Sequence, residues 1–218
     1  MKALLWDLDD TILNTLPGRM RALEHAYGET VGGWVDPEAL WRSHRGGTLE
    51  AMGTRLLRDD GPRFVASYRD FYYNRVNRAG AFEGVVEVLE ACRDASLPLG
   101  IVTSKISWGA TEELESAGIL HFFAAVVGCD DTEEHKPDPA PIFEAMHRLL
   151  VDDPAQVAMI GDSPADMFAA RNAGCTSIAA TWGSLDIELL LDASPVYVAR
   201  TPAGVLATLK SLAMIGAP

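Results

Sequence analysis

Asp7 and Asp9 are two carboxylates spaced i, i+2 at the end of the apolar run Ala3 to Trp6, within ALLWDLDDT at residues 3–11. A run of this kind reads as a buried parallel strand. Side chains two apart on a strand share a face, so both carboxylates are expected to project together from the strand's carboxyl end. That is the edge at which open α/β sheets keep their ligand crevice. Carboxylates held close together repel and are costly to desolvate. A hard cation such as Mg²⁺, which prefers carboxylate oxygens, is the usual remedy. Alone, the stretch is equally a strand running out into a polar turn.

Three later segments sit at comparable places. Thr103-Ser104-Lys105 closes the apolar run LGIVT, where a hydroxyl and a backbone N–H ahead of a helix suit a phosphate oxygen. Taken singly, Thr103 and Ser104 read as a helix cap. In Glu134-His135-Lys136-Pro137-Asp138-Pro139, a proline pushes the Lys136 backbone towards extended conformations. Lys136 could offset phosphate charge from that loop, or be an ordinary surface lysine. Gly161-Asp162-Ser163-Pro164-Ala165-Asp166 follows the run QVAMIG and places two more carboxylates at a strand end. A helix start enriched in acids, capped by Ser163, would look the same. Together the segments supply four carboxylates, a hydroxyl pair and a cation, the parts of a site for a metal ion and a phosphate.

The elements that must position these residues alternate from Phe82 onward. Helices are predicted at 84–95, 108–117, 139–150, 165–173 and 202–214. Strands are predicted at 98–103, 125–129, 156–161 and 176–180, with a weak one at 196–198. Strand–helix alternation implies a parallel sheet with helices on both faces. Residues 19–79 carry no convincing strand. Helical patterns cover 19–31, 37–44, 48–58 and 62–78, separated by turn signals at 32–33, 46–47 and 59–61. The fold class is therefore α/β: a Rossmann-like core, residues 1–14 and 82–218, interrupted by a helical insertion, residues 15–81.

At 218 residues and 48% hydrophobic, the chain suits one α/β domain with an insertion, or two small domains. A net charge of −13 argues against nucleic acid and anionic membrane as partners. The charge is uneven: residues 15–80 hold ten Arg, no Lys and eight acids, so the rest of the chain carries all the excess acid. Cys92, Cys129 and Cys175 show neither metal spacing nor a disulfide framework. They point to a reducing, cytoplasmic setting. The N-terminal apolar run is too short for a signal peptide, and no run approaches a membrane span.

In order and spacing, Asp7-Leu8-Asp9-Asp10-Thr11, Thr103-Ser104, Lys136-Pro137 and Gly161-Asp162-Ser163-Pro164-Ala165-Asp166 resemble the four motifs of the haloacid dehalogenase superfamily. The closest likeness is to its phosphoglycolate phosphatase-like branch. The likeness covers nearly the whole chain, including the tail TWGSLDIELL at 181–190, and makes the helical insertion similar to that branch's cap domain. It implies that Asp7 is a nucleophile forming an aspartyl-phosphate, and that Asp9 protonates the leaving group and then activates water. It also implies Mg²⁺ held by the Asp7 carboxylate, the Asp9 main-chain carbonyl and Asp162. Thr103, the Ser104 N–H and Lys136 would hold the phosphoryl oxygens, with Asp166 behind them orienting Lys136 or a water on the ion. Asp10 departs from the branch, which more often has glycine there; Asp tolerates the left-handed region better than most residues.

In the insertion, Trp41-Arg42-Ser43-His44-Arg45-Gly46-Gly47 offers Arg45 as a substrate contact, since a guanidinium suits a carboxylate or second phosphate. A solvated helix end reads the same way. The expected substrate is a small phosphorylated metabolite. Phosphoglycolate leads by resemblance, followed by nucleoside monophosphates, sugar phosphates and pyrophosphate. Dehalogenation is disfavoured by Asp9. Phosphonate cleavage is disfavoured because no lysine lies between Lys2 and Lys105. A sugar-phosphate mutase and a non-catalytic phospho-ligand binder are the alternatives, and oligomeric state stays open.

Overall fold

The computed structural model describes residues 2–44, 48–76 and 78–215, with His44 by its backbone only. In chain order the elements are β1 (Ala3–Trp6), α1 (Leu16–Thr30), α2 (Pro37–His44), α3 (Leu49–Leu57), α4 (Gly61–Arg75), α5 (Val85–Asp94), β2 (Leu99–Val102), α6 (Ser107–Ser116), β3 (Ala125–Val127), α7 (Ala140–Arg148), β4 (Val157–Gly161), α8 (Pro164–Ala173), β5 (Thr176–Ala180), α9 (Ile187–Asp192), β6 (Tyr197–Ala199) and α10 (Pro202–Ser211). The chain divides into two compact units, Met1–Asn14 with Gly80–Pro218 and the contiguous Thr15–Ala79.

The first unit is built on one six-stranded sheet in the order β3-β2-β1-β4-β5-β6. Every pairing is parallel. All four residues of β1 are buried. Ala3 and Leu5 pack with Ile142, Ala145 and Met146 of α7 and Ala169, Ala170 and Ala173 of α8. Leu4 and Trp6 point to the opposite face and are equally inaccessible. A strand covered on both sides must read as an unbroken apolar run, which is why Ala-Leu-Leu-Trp marks the sheet's centre. The unit closes through Leu13, bridged to Ala81, and Asn14, whose N–H donates to the Gly80 carbonyl.

The second unit has its own apolar centre, Ala22, Leu23, Ala26, Leu40, Met52, Phe64, Tyr68 and Tyr72. Thr48 caps α3 by accepting from the Ala51 N–H at 3.2 Å. α3 and α4 approach closely where Gly53 meets Gly61; a Cβ on Gly53 would stand 2.9 Å from the Gly61 carbonyl oxygen.

Several element ends differ from expectation. α1 starts at Leu16, because Pro17 stands in its first turn and opens the helix rather than delaying it. α9 lies in a stretch expected only to resemble a family tail. β3 ends at Val127: Gly128 lies against Ser107, and a Cβ there would come within 2.4 Å of the Ser107 nitrogen. Among the described residues, no helix is long and apolar enough to cross a membrane.

Candidate active site

The carboxyl ends of β1, β2 and β4, together with the loop before α7, bring seven of the eight expected residues to one edge of the sheet. The Asp7 N–H donates to the Ile160 carbonyl at 2.8 Å, extending the β1–β4 ladder by one residue. The chain then turns sharply, with both the Ile12 and Leu13 N–H groups on the Leu8 carbonyl. Asp10 takes the turn at φ +61°, in the left-handed region its type tolerates. Gly183 seats this turn, since a Cβ there would lie 1.8 Å from the Asp10 carbonyl oxygen.

Lys136 is not a surface lysine: it is 5% exposed. Its Nζ donates to Asp7 Oδ1 at 2.6 Å, Asp166 Oδ1 at 2.6 Å and the Val102 carbonyl at 2.9 Å. Three acceptors match the three protons of an ammonium group. Burial pushes the Asp7 carboxyl up to about 7, with the Lys136 charge working against that rise and the Asp166 charge adding to it. Burial works to neutralise Lys136 as well, but the Asp166 and Asp7 carboxylates overcome it and hold the ammonium above its ordinary range. The ammonium is thus held between two carboxylates at the end of the central strand.

Asp166 opens α8. Its Oδ2 accepts from the Ser163 N–H at 3.1 Å, as the acid of a capping box does, and also from the Ser163 hydroxyl at 2.6 Å. With Lys136 on Oδ1, both Asp166 oxygens are committed. The segment thus starts a helix and at the same time brings a carboxylate to Lys136. Asp162 is half-buried and accepts from the Thr11 hydroxyl at 3.1 Å. Oxygens of Asp7, Asp162 and Asp166 all lie within 4.8 Å of one another, an all-carboxylate donor set suited to a hard divalent ion. The expected metal set used the Asp9 main-chain carbonyl, which keeps the Asp9 side chain off the ion; that side chain accepts from Lys105 Nζ at 2.8 Å.

Thr103 and Ser104 do not cap α6. The Thr103 N–H pairs with the Val127 carbonyl, and Thr103 Oγ1 accepts from the Lys105 N–H at 3.2 Å. The cap comes from elsewhere, as Asp130 Oδ1 accepts from the Ser107 N–H at 2.6 Å. Arg45 lies outside the described residues, as do Gly46 and Gly47.

Sequence reasoning missed five supports. Lys105 stood within a quoted motif without a role. Glu113, its second partner, shows one signal: an acid between Ala110 and Leu114 on the buried side of α6. Thr11 binds Asp162, and the Trp182 indole N–H donates to the Thr11 carbonyl at 3.0 Å. No local pattern announces either contact. Gly183 could be found only from the turn it touches.

A haloacid dehalogenase-like hydrolase family model matches residues 4–180. PpaX of Caldanaerobacter subterraneus subsp. tengcongensis, named as a pyrophosphatase, is 32% identical over 198 residues, covering 89% of this chain and 88% of that protein. The phosphoglycolate phosphatase of Escherichia coli (strain K12) is 31% identical over 208 residues, covering 84% of this chain and 82% of that one. The crystal structure of a protein from Haemophilus somnus 129PT described as a phosphoglycolate phosphatase superposes with a TM-score of 0.85 at 26% identity, over 95% of this chain and 97% of that one. With the motif residues gathered at one sheet edge and matches that run through both units, the chain belongs to the haloacid dehalogenase-like hydrolase family, in its phosphoglycolate phosphatase-like branch.

Proposed function

We propose that the protein is a Mg²⁺-dependent phosphatase that hydrolyses a small phosphomonoester, phosphoglycolate or a near relative, through an aspartyl-phosphate on Asp7. The observation that carries this reading is the Lys136 ammonium, buried 2.6 Å from both Asp7 and Asp166 at the end of the central strand. A buried cation beside the carboxylate suits a nucleophile that must meet an anionic phosphoryl group. In the first step an Asp7 oxygen bonds to phosphorus and the ester P–O bond breaks, with Asp9 giving its proton to the leaving alkoxide. In the second, Asp9 takes a proton from water as the water oxygen bonds to phosphorus. The phosphorus–Asp7 bond then breaks and inorganic phosphate leaves. Thr103, the Ser104 N–H and Lys136 hold the phosphoryl oxygens throughout, since positioning and charge stabilisation supply most of such catalysis.

Asp7, Asp162 and the Asp9 main-chain carbonyl would hold the ion. Asp166 keeps Lys136 and Ser163 as its partners. When bound, Mg²⁺ would supply neutralisation of the charge shared by the carboxylates and the phosphoryl group. The helical unit Thr15–Ala79 is proposed as the cap that selects the substrate. The free thiols of Cys92, Cys129 and Cys175 fit a reducing, cytoplasmic setting. The Escherichia coli relative supports phosphoglycolate as substrate, and PpaX makes pyrophosphate the second candidate.

The test is phosphate release from a panel holding phosphoglycolate, pyrophosphate, nucleoside monophosphates and sugar phosphates, with Mg²⁺ present. Preferred release from a small acid phosphate supports the reading. A sugar phosphate isomerised with its phosphate retained identifies a mutase, and binding without turnover identifies a phospho-ligand binder.

A further inference from the structure

Glu113 is 2% exposed, on the buried side of α6 with Ala110 and Leu114. A carboxylate so placed is tolerated when paired. Its Oε2 accepts from Lys105 Nζ at 2.5 Å, and the same ammonium donates to Asp9 Oδ1 at 2.8 Å. Lys105 therefore links an acid that the helix locks in place to the acid proposed to move the proton.

The Lys105 backbone is held too. Its N–H donates to Thr103 Oγ1, and its carbonyl accepts from the Cys129 N–H at 2.9 Å. Two residues on, the Ser107 N–H and hydroxyl both donate to Asp130. The loops after β2 and β3 are thus tied together on either side of Lys105. An aspartate at a turn otherwise exchanges among staggered rotamers. A side chain tied through one ammonium to a rigid helix does not.

We propose that Lys105, anchored by Glu113, is a positioning residue that holds the Asp9 carboxyl in the orientation from which it delivers its proton to the leaving oxygen; the proposal rests on the phosphatase reading above. Acting through Asp9, Lys105 matters most where the leaving group cannot depart without a proton. Alkyl phosphates are such substrates, and p-nitrophenyl phosphate is not. The value of kcat/KM reports the steps through leaving-group departure and so isolates this role from the later water step.

Lys105→Met is expected to lower kcat/KM for a small alkyl phosphate by about 10- to 100-fold, the scale of a misplaced catalytic group. The loss on p-nitrophenyl phosphate should be several-fold smaller, and the inhibition constant of inorganic phosphate should stay within about threefold of wild type. Removing Lys105 alone takes a buried cation away from Glu113. The double variant Lys105→Met/Glu113→Leu has no buried charge there and should show the same substrate pattern with a Tm near wild type. Lys105→Arg, which keeps charge and reach, should recover part of the alkyl phosphate rate.

Equal losses on both substrates, or a weakened inhibition by phosphate, would place Lys105 on the phosphate and overturn the proposal. So would undiminished alkyl phosphate hydrolysis by the double variant. Asp9→Asn separates the two readings. If it shows the leaving-group dependence and the Lys105 variants do not, the positioning role alone falls. If it shows none, the proton donor is misassigned and both fall.

Discussion

Gly161 and Asp166 are in contact: a Cβ on Gly161 would come within 2.3 Å of the Asp166 carboxyl carbon. The last residue of β4 and the first turn of α8 are pressed together there, and the contact fixes the carboxylate that steadies Lys136. Gly161→Ala should push Asp166 off Lys136 and Ser163. The expected destabilisation is about 1–3 kcal/mol, as for other overpacked sites, with phosphatase activity reduced at least about tenfold. Urea unfolding and initial rates measure the two effects. An active, fully stable alanine variant would mean that the strand end yields more readily than its backbone contacts indicate.

Asp7→Asn should abolish turnover and leave the fold intact, because an amide cannot form the acyl-phosphate bond. Asp9→Asn should be severely impaired through loss of the proton transfer. Circular dichroism together with phosphate release distinguishes loss of chemistry from loss of structure. Near-normal rates for Asp7→Asn would remove it as the nucleophile.

Lys136→Met leaves Asp7 and Asp166 buried without the cation between them. Breaking a buried pair from one side costs about 3–5 kcal/mol, so a large fall in Tm is expected in addition to loss of activity. Mg²⁺ should restore more stability to this variant than to wild type, because the ion becomes the remaining remedy for the carboxylate cluster. Thermal melts with and without the ion read this directly.

Chelation by EDTA should stop wild-type turnover, and added Mg²⁺ should restore it. Asp7, Asp162 and Asp166 gather more negative charge than Lys136 balances. Ca²⁺ should substitute poorly, since its larger and looser coordination would misplace the nucleophile. Full activity after exhaustive chelation would show that the cluster has no catalytic ion.

Burial holds the Cys92 and Cys175 thiols up at about 12, against an ordinary 9.0. In the unfolded chain these thiols ionise first, so the stability they confer is fully present below pH 9.0 and is lost as pH rises towards 12. Neither should react with a thiol reagent in the native protein, and both should react once the protein is denatured. A Cys92→Val/Cys175→Val variant should lose less stability than wild type across that alkaline range. Rapid native labelling of either thiol would contradict their burial.

The sheet and the motif stretches were legible because the runs of β1, β2 and β4 each give way to polar residues that the sheet delivers to one edge. Ala-Leu-Leu-Trp before Asp7 and Val-Ala-Met-Ile-Gly before Asp162 are the plainest cases. Lys136 was legible only in company. Nothing near it in sequence reveals that it is buried, because its acceptors come from β1, β2 and α8. Lys105 and Glu113 are eight positions apart, and Lys105 lies 96 positions from Asp9, with the whole of Thr15–Ala79 between, so no local period reports the link. Trp182 and Gly183 support the Asp10 turn across a longer separation, 171 positions for the Trp182–Thr11 contact. What sequence reading loses is the shell of long-range contacts that decides how each motif residue points.

During synthesis, Ala3–Trp6 leave the ribosome long before Leu99–Val102 and Val157–Gly161, the two strands between which they come to lie. Until Gly161 has emerged, the first strand lacks a neighbour along one edge, and such non-local pairings form late. Thr15–Ala79 is under no such delay, being contiguous and centred on its own apolar cluster. The nascent chain can thus close its helical unit while the strand ahead of it still waits for partners. Its chemistry arrives last: a chain ending before Gly161 holds Asp7, Asp9 and Lys136 without the strand and carboxylates that bring them together.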